Sequence, residues 1–385
     1  MKILQVHNGY QYRGGEDTVV EAESELLRSR GHQVVEMRRT FEQLGELGPL
    51  SGAARALWSN QARDELRQLV GDEKPDVLHA HNTFPLISPS IFWAANDLGL
   101  PVVQTLHNFR LICPQAMLLR EGRICEECVG RVPLAAVQHA CYRGSRTATG
   151  VLAGMLVLHR SLGTWQHKVD RYIALNDFCR RKFIQGGLPA GRIAVKPNFA
   201  LDRQVPAGDR EGLLYVGRLS PEKGVQVLAD AVAPLATGCV RVIGSGPSTG
   251  LLAHCGAVQL LGQQPAETVI KHMAGSVALV FPSISNETFG LVIIEAFSVG
   301  TPVIASRLGA ALDLVIDGHN GLLVEPGDAA DLRSKLAWAL SHPQEMAEMG
   351  RRARQTYLAS YTPQANYTQL LDVYLQARAE RQLRV

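Results

Sequence analysis

Short apolar segments alternate with amphipathic ones along most of the chain. Residues 2–8, KILQVHN, have the length and composition of a buried strand, and the turn YRGGED separates them from the amphipathic stretch 18–31, TVVEAESELLRSRG. The same order of strand, turn and helix returns in GLLYVGRLSPEKG (212–224) and the VQVLADAVAPL that follows it. Strands that alternate with helices predict parallel sheets built of β-α-β units, which is an α/β fold.

Polar residues follow the apolar part of several predicted strands. The segments PDVLHAHN (75–82), LPVVQTLHN (100–108) and VDRYIALND (169–177) end in this way, as does SVALVFPS in the second half. Open α/β sheets bind ligands at the carboxyl ends of their strands. We therefore expect two Rossmann-like β/α/β domains that face each other across a cleft.

The expected domain boundaries follow from breaks in this alternation. The first domain is predicted to span 1–198 and the second 199–362. Residues 109–146 show no clean period and are predicted to form an insertion in the first domain. The final helical stretch, 363–385, is expected to pack back on that domain.

Composition narrows the class of protein. A chain of 385 residues, 46% of them hydrophobic, is typical of two domains. The net charge of +3 gives no signature of nucleic-acid binding, so no such partner is expected. The chain begins directly with a strand pattern rather than a signal peptide, and we expect a cytoplasmic protein, with the inner face of the cell membrane as an alternative.

The longest apolar run, TATGVLAGMLVLH (147–159), is shorter than the roughly 18 to 20 residues that span a bilayer. It is predicted to be a core helix, and an interfacial helix is the alternative.

Four of the seven cysteines lie in the insertion, at positions that form Cys-x11-Cys-x2-Cys-x12-Cys: Cys113, Cys125, Cys128 and Cys141. The central pair is a plausible half of a zinc site, with His139 as a substitute ligand. Reduced thiols packed in the insertion are the alternative, and no metal site is assigned.

Two glutamates stand out in the otherwise apolar segment 285–306, SNETFGLVIIEAFSVGTPVIAS. A helix starting near Phe289 would place Glu287 and Glu295 about 10 Å apart along its axis. Carboxylates accept hydrogen bonds from vicinal hydroxyls, so one glutamate could hold a sugar and the other a ribose, with a diphosphate between them. A helix cap and a solvated helix face are the alternative explanation.

Two cations occupy one turn after a predicted strand. In GRLSPEKG, Arg218 and Lys223 lie between a strand and a helix, where they suit a diphosphate whose charge they would screen as it departs. Exposed surface charges are the alternative.

These segments together resemble a known family. YVGRLSPEKG, VIGSGP, SNETFGLVIIEAFSVGTPVIAS and GLLVEPGD, in this order, are similar to the C-terminal half of a family 4 retaining glycosyltransferase (group 1), and GGED, TLHN and KPN are similar to its N-terminal half. The resemblance covers nearly the whole chain. It implies the GT-B architecture, with acceptor binding in the first domain, donor binding in the second, and no required metal or cofactor.

The resemblance also implies roles for individual residues. Glu295 would bind the ribose hydroxyls of a nucleotide-diphosphate sugar, and Arg218 and Lys223 the diphosphate. Glu287 would face the donor sugar with the amides of Thr288, Phe289 and Gly290, and His107 would lie near that sugar. Gly14 and Gly15 would let the first loop approach the diphosphate and acceptor closely. His107, Glu287, Arg218 and Lys223 are the predicted catalytic residues.

The implied reaction retains the configuration of the transferred sugar. No carboxylate in the sequence is a compelling covalent nucleophile. We therefore expect substitution on the face from which the nucleotide leaves, with the departing phosphate oxygen taking the proton of the acceptor.

The expected partners are a nucleotide-sugar donor and a saccharide or lipid-linked saccharide acceptor, with surface polysaccharide or glycolipid synthesis as the setting and peripheral association with a membrane as an option. The alternatives are a non-catalytic sugar-nucleotide-binding subunit and a sugar-nucleotide epimerase of similar architecture. A dinucleotide oxidoreductase is disfavoured, because YQYRGGED does not supply Gly-x-Gly-x-x-Gly.

One departure from the family pattern is visible: Ala310 replaces a glycine and Asp313 a glutamate after PVIAS.

Overall fold

The computed structural model describes residues 1–9, 14–40, 42–45, 47–203, 205 and 208–383. It divides into two compact units. The first unit contains Met1–Leu118, Glu126–Pro197 and Tyr367–Val385, and the second contains Leu119–Cys125 and Asn198–Asn366.

The first unit is built on a six-stranded parallel sheet. Its strands are β1 (Lys2–Asn8), β2 (Gln33–Arg39), β3 (Val77–Asn82), β4 (Val102–Leu106), β7 (Arg171–Ala174) and β8 (Ile193–Val195), in the order β2-β1-β3-β4-β7-β8. A separate antiparallel hairpin consists of β5 (Leu119–Arg120) and β6 (Arg123–Ile124), and it groups with the second unit. The helices are α1 (Gly15–Ser29), α2 (Glu42–Gly45), α3 (Pro49–Leu57), α4 (Asn60–Glu73), α5 (Ile91–Asp97), α6 (Leu134–Gln138), α7 (Arg146–Ser161), α8 (Thr164–His167) and α9 (Asp177–Gln185), with 3₁₀ turns at Phe109–Leu111 and Ala190–Arg192.

The second unit contains another six-stranded parallel sheet. Its strands are β9 (Leu213–Val216), β10 (Val240–Ile243), β11 (Val258–Gly262), β12 (Ala278–Phe281), β13 (Val303–Ser306) and β14 (Gly321–Val324), in the order β11-β10-β9-β12-β13-β14. The helices are α10 (Val225–Val232), α11 (Ala266–Ala274), α12 (Leu291–Ser298), α13 (Ala311–Leu314), α14 (Ala329–Ser341) and α15 (Pro343–Ser360), with 3₁₀ turns at Pro221–Lys223 and Thr249–Leu251. The last helix, α16 (Pro363–Gln382), belongs to the first unit from Tyr367 onward.

This architecture confirms the predicted α/β class with two parallel-sheet domains. Counted within the second unit, the strand order is 3-2-1-4-5-6, which is the Rossmann order. In that order the chain reverses direction across the sheet between β9 and β12. Ligands of such folds bind outside the carboxyl ends of the strands at this point.

The two faces of the first sheet differ in chemistry. Leu4, Val6 and Leu78 point into an apolar core that also includes residues of α4, α5, α7 and α9. The opposite face mixes apolar residues with Gln5 and His79, which occupy paired positions in the β1–β3 register. Helices α1 and α16 cover this second face, with Leu370, Val373, Tyr374 and Ala377 of α16 packed in its cluster.

The apolar run at 147–159 lies within α7 and is a core helix. Its buried residues include Leu152, Met155, Leu156 and His159, spaced as one helical face. Among the described residues, no helix is both long and apolar enough to cross a membrane.

Two local details go beyond the sequence. Within the insertion 109–146, Leu119–Cys125 groups with the second unit, and its two short strands pair only with each other. The helix expected near Phe289 begins at Leu291, because Gly290 has φ +82°, which a helix does not accommodate.

Candidate active site

The predicted cations and carboxylates flank the reversal point of the second sheet. Arg218 follows β9, and Lys223 closes the 3₁₀ turn of the same loop. Glu287 lies in the loop after β12, the strand that pairs with β9. The topology therefore brings residues about 65 positions apart in sequence to neighbouring strand ends.

Lys223 and Glu287 form a direct ion pair. Lys223 Nζ donates to Glu287 Oε1 over 2.6 Å, and Ser283 Oγ donates to the same oxygen over 2.9 Å. The two charged side chains are 28% and 18% exposed, so both remain accessible to a ligand. This arrangement places one cation and one hydroxyl-binding carboxylate side by side.

Arg218 is held by a residue that the sequence analysis did not single out. Its guanidinium pairs with Glu222, which also accepts a 2.6 Å hydrogen bond from Ser220 Oγ. Burial alone would raise the pKa of Glu222, but the Ser220 hydroxyl and the Arg218 charge keep that pKa below its usual range. At 59% exposure, Arg218 is the most accessible of these charged groups.

Gly224 fixes the turn that carries Lys223. It has φ +71°, and a Cβ at this position would lie 1.9 Å from the carbonyl oxygen of Pro282. Ile284 N donates to the carbonyl oxygen of Glu222 over 3.0 Å, and Ser283 Oγ lies 3.0 Å from the same oxygen. The loops after β9 and β12 are therefore packed backbone to backbone, which sets the separation of their side chains.

Helix α12 starts beside this pair. The first amides of a helix have no acceptor within it and favour anionic or hydroxyl-rich ligands. Glu295 lies in the second turn of α12 and is half-buried. Burial raises the pKa of its carboxyl to about 7, against an opposing effect of Arg203. A group that lowers this pKa on binding would need to donate hydrogen bonds to the carboxylate.

The loop after β13 supports Glu287 from the other side. Ala310 N donates to the carbonyl oxygen of Glu287 over 3.2 Å. Gly309 has φ +57°, and a Cβ at this position would lie only 3.0 Å from Glu287 N, so a side chain does not fit there. Ala310 is fully buried and Asp313 is exposed. The departure from the family pattern is therefore accommodated, with Gly309 keeping the conformation that the loop needs.

The other predicted site residues belong to the first unit. Gly14 caps α1 and Gly15 begins it, and no described atom lies within 4 Å of a Cβ placed at either position. Asp17, in the same first turn, accepts hydrogen bonds from Gly14 N and His7 Nε2, both at 2.9 Å. The packing of the described residues does not by itself require glycine at 14 and 15.

His107 directly follows β4 and is hydrogen-bonded to His81, with 2.9 Å between His107 Nε2 and His81 Nδ1. Both are buried, and His107 lines a pocket together with Asn82, Asn108 and Arg110. Burial lowers the pKa of His107 to about 3, so the imidazole is neutral at physiological pH.

A buried ion pair that the sequence analysis missed lies behind these histidines. Lys196 Nζ donates to Glu23 Oε2 over 2.9 Å, and both side chains are 1% exposed. Although burial would raise the pKa of Glu23, Lys196 and His79 hold it well below its usual range. The sequence does contain a signal for a buried carboxylate here, because Glu23 occupies the apolar face of α1 between Val20 and Leu27.

Glu23, His79 and His81 form the one group of three potential metal ligands found among the described residues. The three side chains have other partners, however, although Glu23 Oε1 itself accepts no hydrogen bond in the described part of the chain. Lys196 binds Glu23, Tyr374 OH lies 2.8 Å from His79 Nδ1, and His81 bonds to Gln5 and His107. A divalent cation would have to displace these partners next to a buried ammonium, so this group is a poor metal site.

The four cysteines of the insertion are not assembled as the zinc hypothesis requires. In the described part of the chain, no three of their sulfurs lie within 4.8 Å of one another. Cys113 and Cys128 are buried, and Cys125 and Cys141 are partly exposed. The arrangement favours packed thiols over a zinc centre.

Comparison with solved structures identifies the fold as that of the two-domain GT-B glycosyltransferases. Sucrose-phosphate synthase from Thermosynechococcus elongatus superimposes with a TM-score of 0.73 at 20% identity, covering 98% of this chain and 99% of the other. Anabaena Alr3699/HepE in complex with UDP gives 0.66 at 19% identity, covering 97% and 99%.

Family models identify the chain more closely. The model described as Glycosyltransferase Family 4 matches residues 13–200, and the model described as Glycosyl transferases group 1 matches residues 199–356. The chain belongs to this glycosyltransferase family, which confirms the resemblance noted from the sequence.

Two of the similar proteins carry names that refer to inositol. D-inositol 3-phosphate glycosyltransferase of Gordonia bronchialis is 31% identical over 72% of this chain, and the chain spans only 61% of that protein. Phosphatidyl-myo-inositol mannosyltransferase of Mycobacterium leprae is 26% identical, covering 84% of this chain and 83% of the relative.

Proposed function

We propose that this protein transfers a glycosyl group from a nucleotide-diphosphate sugar to a hydroxyl of a saccharide or polyol acceptor, with retention of configuration. The Lys223–Glu287 ion pair at the β9–β12 reversal point is the observation that carries the proposal. It offers a cation for phosphate and a carboxylate for sugar hydroxyls within one hydrogen-bond length of each other. The named relatives and the neighbour bound to UDP support the same class of reaction.

In the proposed reaction, Arg218 and Lys223 bind the diphosphate and Glu295 binds the ribose. The bond between the anomeric carbon and the phosphate oxygen breaks, and the acceptor oxygen bonds to that carbon on the same face. The departing phosphate oxygen takes the acceptor's proton, so no protein base is needed. Lys223 stabilises the charge that develops on the leaving group, an effect that commonly contributes about 3 kcal/mol.

The Lys223–Glu287 pair also has a role before the donor binds. Before binding, Glu287 holds the ammonium of Lys223 over 2.6 Å, and Ser283 Oγ lies 2.9 Å from the same carboxylate oxygen. On binding, the diphosphate replaces Glu287 as the partner of Lys223. The released carboxylate oxygen can then accept from a sugar hydroxyl.

For the acceptor and the cellular setting we propose a chemical class and a location rather than one compound. The relative named for phosphatidyl-myo-inositol supports a lipid-linked or phosphorylated polyol acceptor, and a lipid-linked saccharide fits the same reaction. We propose work at the inner face of the cell membrane in glycolipid or surface polysaccharide synthesis. An acceptor panel of inositol phosphate, phosphatidylinositol and lipid-linked oligosaccharide would separate these substrates.

The first experiment is nucleotide-dependent thermal stabilisation with UDP, GDP, ADP and dTDP. Ligand at about 100 times its dissociation constant adds roughly 2.7 kcal/mol of stability. We expect one nucleotide to raise the Tm of the wild type, a smaller rise for Glu295→Gln, and an unchanged rise for Glu267→Gln, whose carboxyl is exposed on α11. No rise with any nucleotide would contradict the proposal.

Transfer of labelled sugar from the selected donor then tests catalysis itself. Lys223→Met should lower kcat by about 10²-fold or more, since it removes a group that acts on developing charge. Nucleotide binding without transfer to any acceptor would indicate a binding subunit instead, and interconversion of donor sugars would indicate an epimerase.

A further inference from the structure

We propose that His81, oriented by Gln5, fixes His107 in the tautomer that carries its proton on Nδ1, so that His107 acts as a hydrogen-bond donor and not as a base. His81 is thus a positioning residue. The catalytic consequence rests on the function proposed above, whereas the tautomer itself does not.

The chain of hydrogen bonds starts at the amide of Gln5. Gln5 Nε2 lies 3.4 Å from the carbonyl oxygen of Val20, and Ser24 Oγ is within hydrogen-bond distance of Gln5 Oε1 and 3.0 Å from the same Val20 oxygen. If the side-chain amide of Gln5 were turned by 180°, its oxygen would face the backbone carbonyl oxygen of Val20, and the two oxygens would repel each other. Gln5 therefore presents its NH₂ group to the histidines.

His81 is the next link. Gln5 Nε2 donates to His81 Nε2 over 3.1 Å, so this ring nitrogen must accept and be unprotonated. The carboxylate of Glu23 is the other group facing His81 Nε2, but its Oε1 is 3.6 Å away. A proton on His81 Nε2 would point at the Gln5 amide hydrogens, whereas a proton on Nδ1 has an acceptor.

His107 completes the chain. His81 Nδ1 donates over 2.9 Å to His107 Nε2, which is thereby an acceptor. A neutral imidazole carries one proton, so that of His107 must lie on Nδ1. The lone pair of His107 that could serve as a base is already occupied by His81. The remaining chemistry of His107 is donation to an oxygen.

The charges around the chain favour neutral rings. Glu23 and Lys196 compensate each other in one buried ion pair, so neither leaves an uncompensated charge next to His81. Burial lowers the pKa of both His81 and His107, with the neighbouring His79 acting in the same direction. A doubly protonated His107 is therefore disfavoured.

Nitrogen-15 NMR of histidine-labelled protein tests the tautomer directly. The chain has 12 histidines, and the His107→Phe variant identifies the signals of His107 by their loss. We expect one protonated nitrogen, Nδ1, and one unprotonated nitrogen, Nε2, in the wild type at pH 7.5. A proton on Nε2, or on both nitrogens, would overturn the proposal.

Two substitutions of His81 separate positioning from packing. His81→Asn keeps an N–H donor near the position of Nδ1 and should retain the His107 tautomer, whereas His81→Leu removes the donor and should allow the Nε2–H form. Gln5→Leu should have a similar effect, because His81 can then place its proton toward Glu23. An unchanged His107 tautomer in folded His81→Leu and Gln5→Leu proteins would refute the role of His81.

The effect of the His81 variants on kcat is measured with the sugar-transfer assay. A wrong histidine tautomer has cost about 10⁴-fold in kcat in another active site. We expect His81→Leu to lower kcat at least tenfold with little change in the donor KM, and His81→Asn to recover most of the loss. If the NMR result holds but the wild type transfers no sugar, the proposed function fails and the tautomer assignment stands.

Discussion

At the residue scale, Glu23 and Lys196 form a buried ion pair in the first unit. Removing one partner leaves the other charge buried and unpaired, which typically costs 3–5 kcal/mol. We expect Lys196→Met to destabilise the protein by about that amount, measured by urea denaturation. The double variant Glu23→Gln/Lys196→Met should recover part of the loss, and simple addition of the two single effects would contradict this account.

The raised pKa of Glu295 predicts that the stability of the protein depends on pH. Its pKa is raised from a usual value near 4.5 to about 7 in the folded protein, so the unfolded chain ionises first as pH rises. This carboxyl therefore costs stability progressively between about pH 4.5 and 7, by up to about 3 kcal/mol. Below that range both states are protonated and the cost is absent.

The measurement compares the wild type with Glu295→Gln across that pH range. Relative to the variant, the wild type should lose unfolding free energy as pH rises to 7 and then stay level. A constant difference at every pH would show that Glu295 is not desolvated. Glu267→Gln, at an exposed position, controls for the loss of a carboxyl group.

Residue identity selected candidate residues for the donor side but not the residues that bind them. Arg218, Lys223 and Glu287 could be selected because each charge stands at a strand end. Lys196 could not, because the residue that it binds lies 173 positions away on another element. Glu222 was missed although Arg218 lies only four positions away in the same loop. Glu23 was detectable in principle, as a carboxylate on the buried face of an amphipathic helix.

At the scale of elements, two glycines on the two predicted phosphate-side turns should behave differently. Gly224→Ala would push a Cβ into the Pro282 carbonyl, so we expect a loss of stability of more than about 2 kcal/mol by denaturation. Gly14 has φ −127°, which alanine adopts readily, and no described atom fills the space beside it. Gly14→Ala should leave stability nearly unchanged.

The Gly14→Ala variant also tests the predicted role of the first turn. If Gly14 is needed for close approach of substrate, Gly14→Ala should lower kcat/KM for transfer while the protein remains as stable as the wild type. Normal transfer by this variant would remove Gly14 from the site. Gly250→Ala, at another open position, serves as the matched control.

Element boundaries were less predictable than element types. The strand-helix alternation determined both sheets, since buried parallel strands need apolar runs and their crossovers need helices. The start of α12 depended on one backbone conformation, that of Gly290, which the sequence does not specify. The β5–β6 hairpin has only two residues in each strand, too few for a period to be visible.

At the scale of the whole molecule, α16 is part of the packing of the first unit although it comes last in the chain. Tyr374 is fully buried and its hydroxyl lies 2.8 Å from His79 Nδ1. Tyr374→Ala should cost about 3–5 kcal/mol by denaturation, as large aromatic truncations in a core do. Leu375→Ala, half exposed on the next position, should cost much less.

The passage of α16 into the first unit has a consequence for synthesis on the ribosome. The N-terminal sheet emerges first, but the helix that covers its histidine-bearing face is translated only after the whole second unit. Until then the partner of His79, Tyr374, and the apolar residues of α16 are missing, so the first unit cannot reach its final stability. A nascent chain stalled before residue 363 should therefore fold its later half first, reversing the usual N-to-C order in which domains mature.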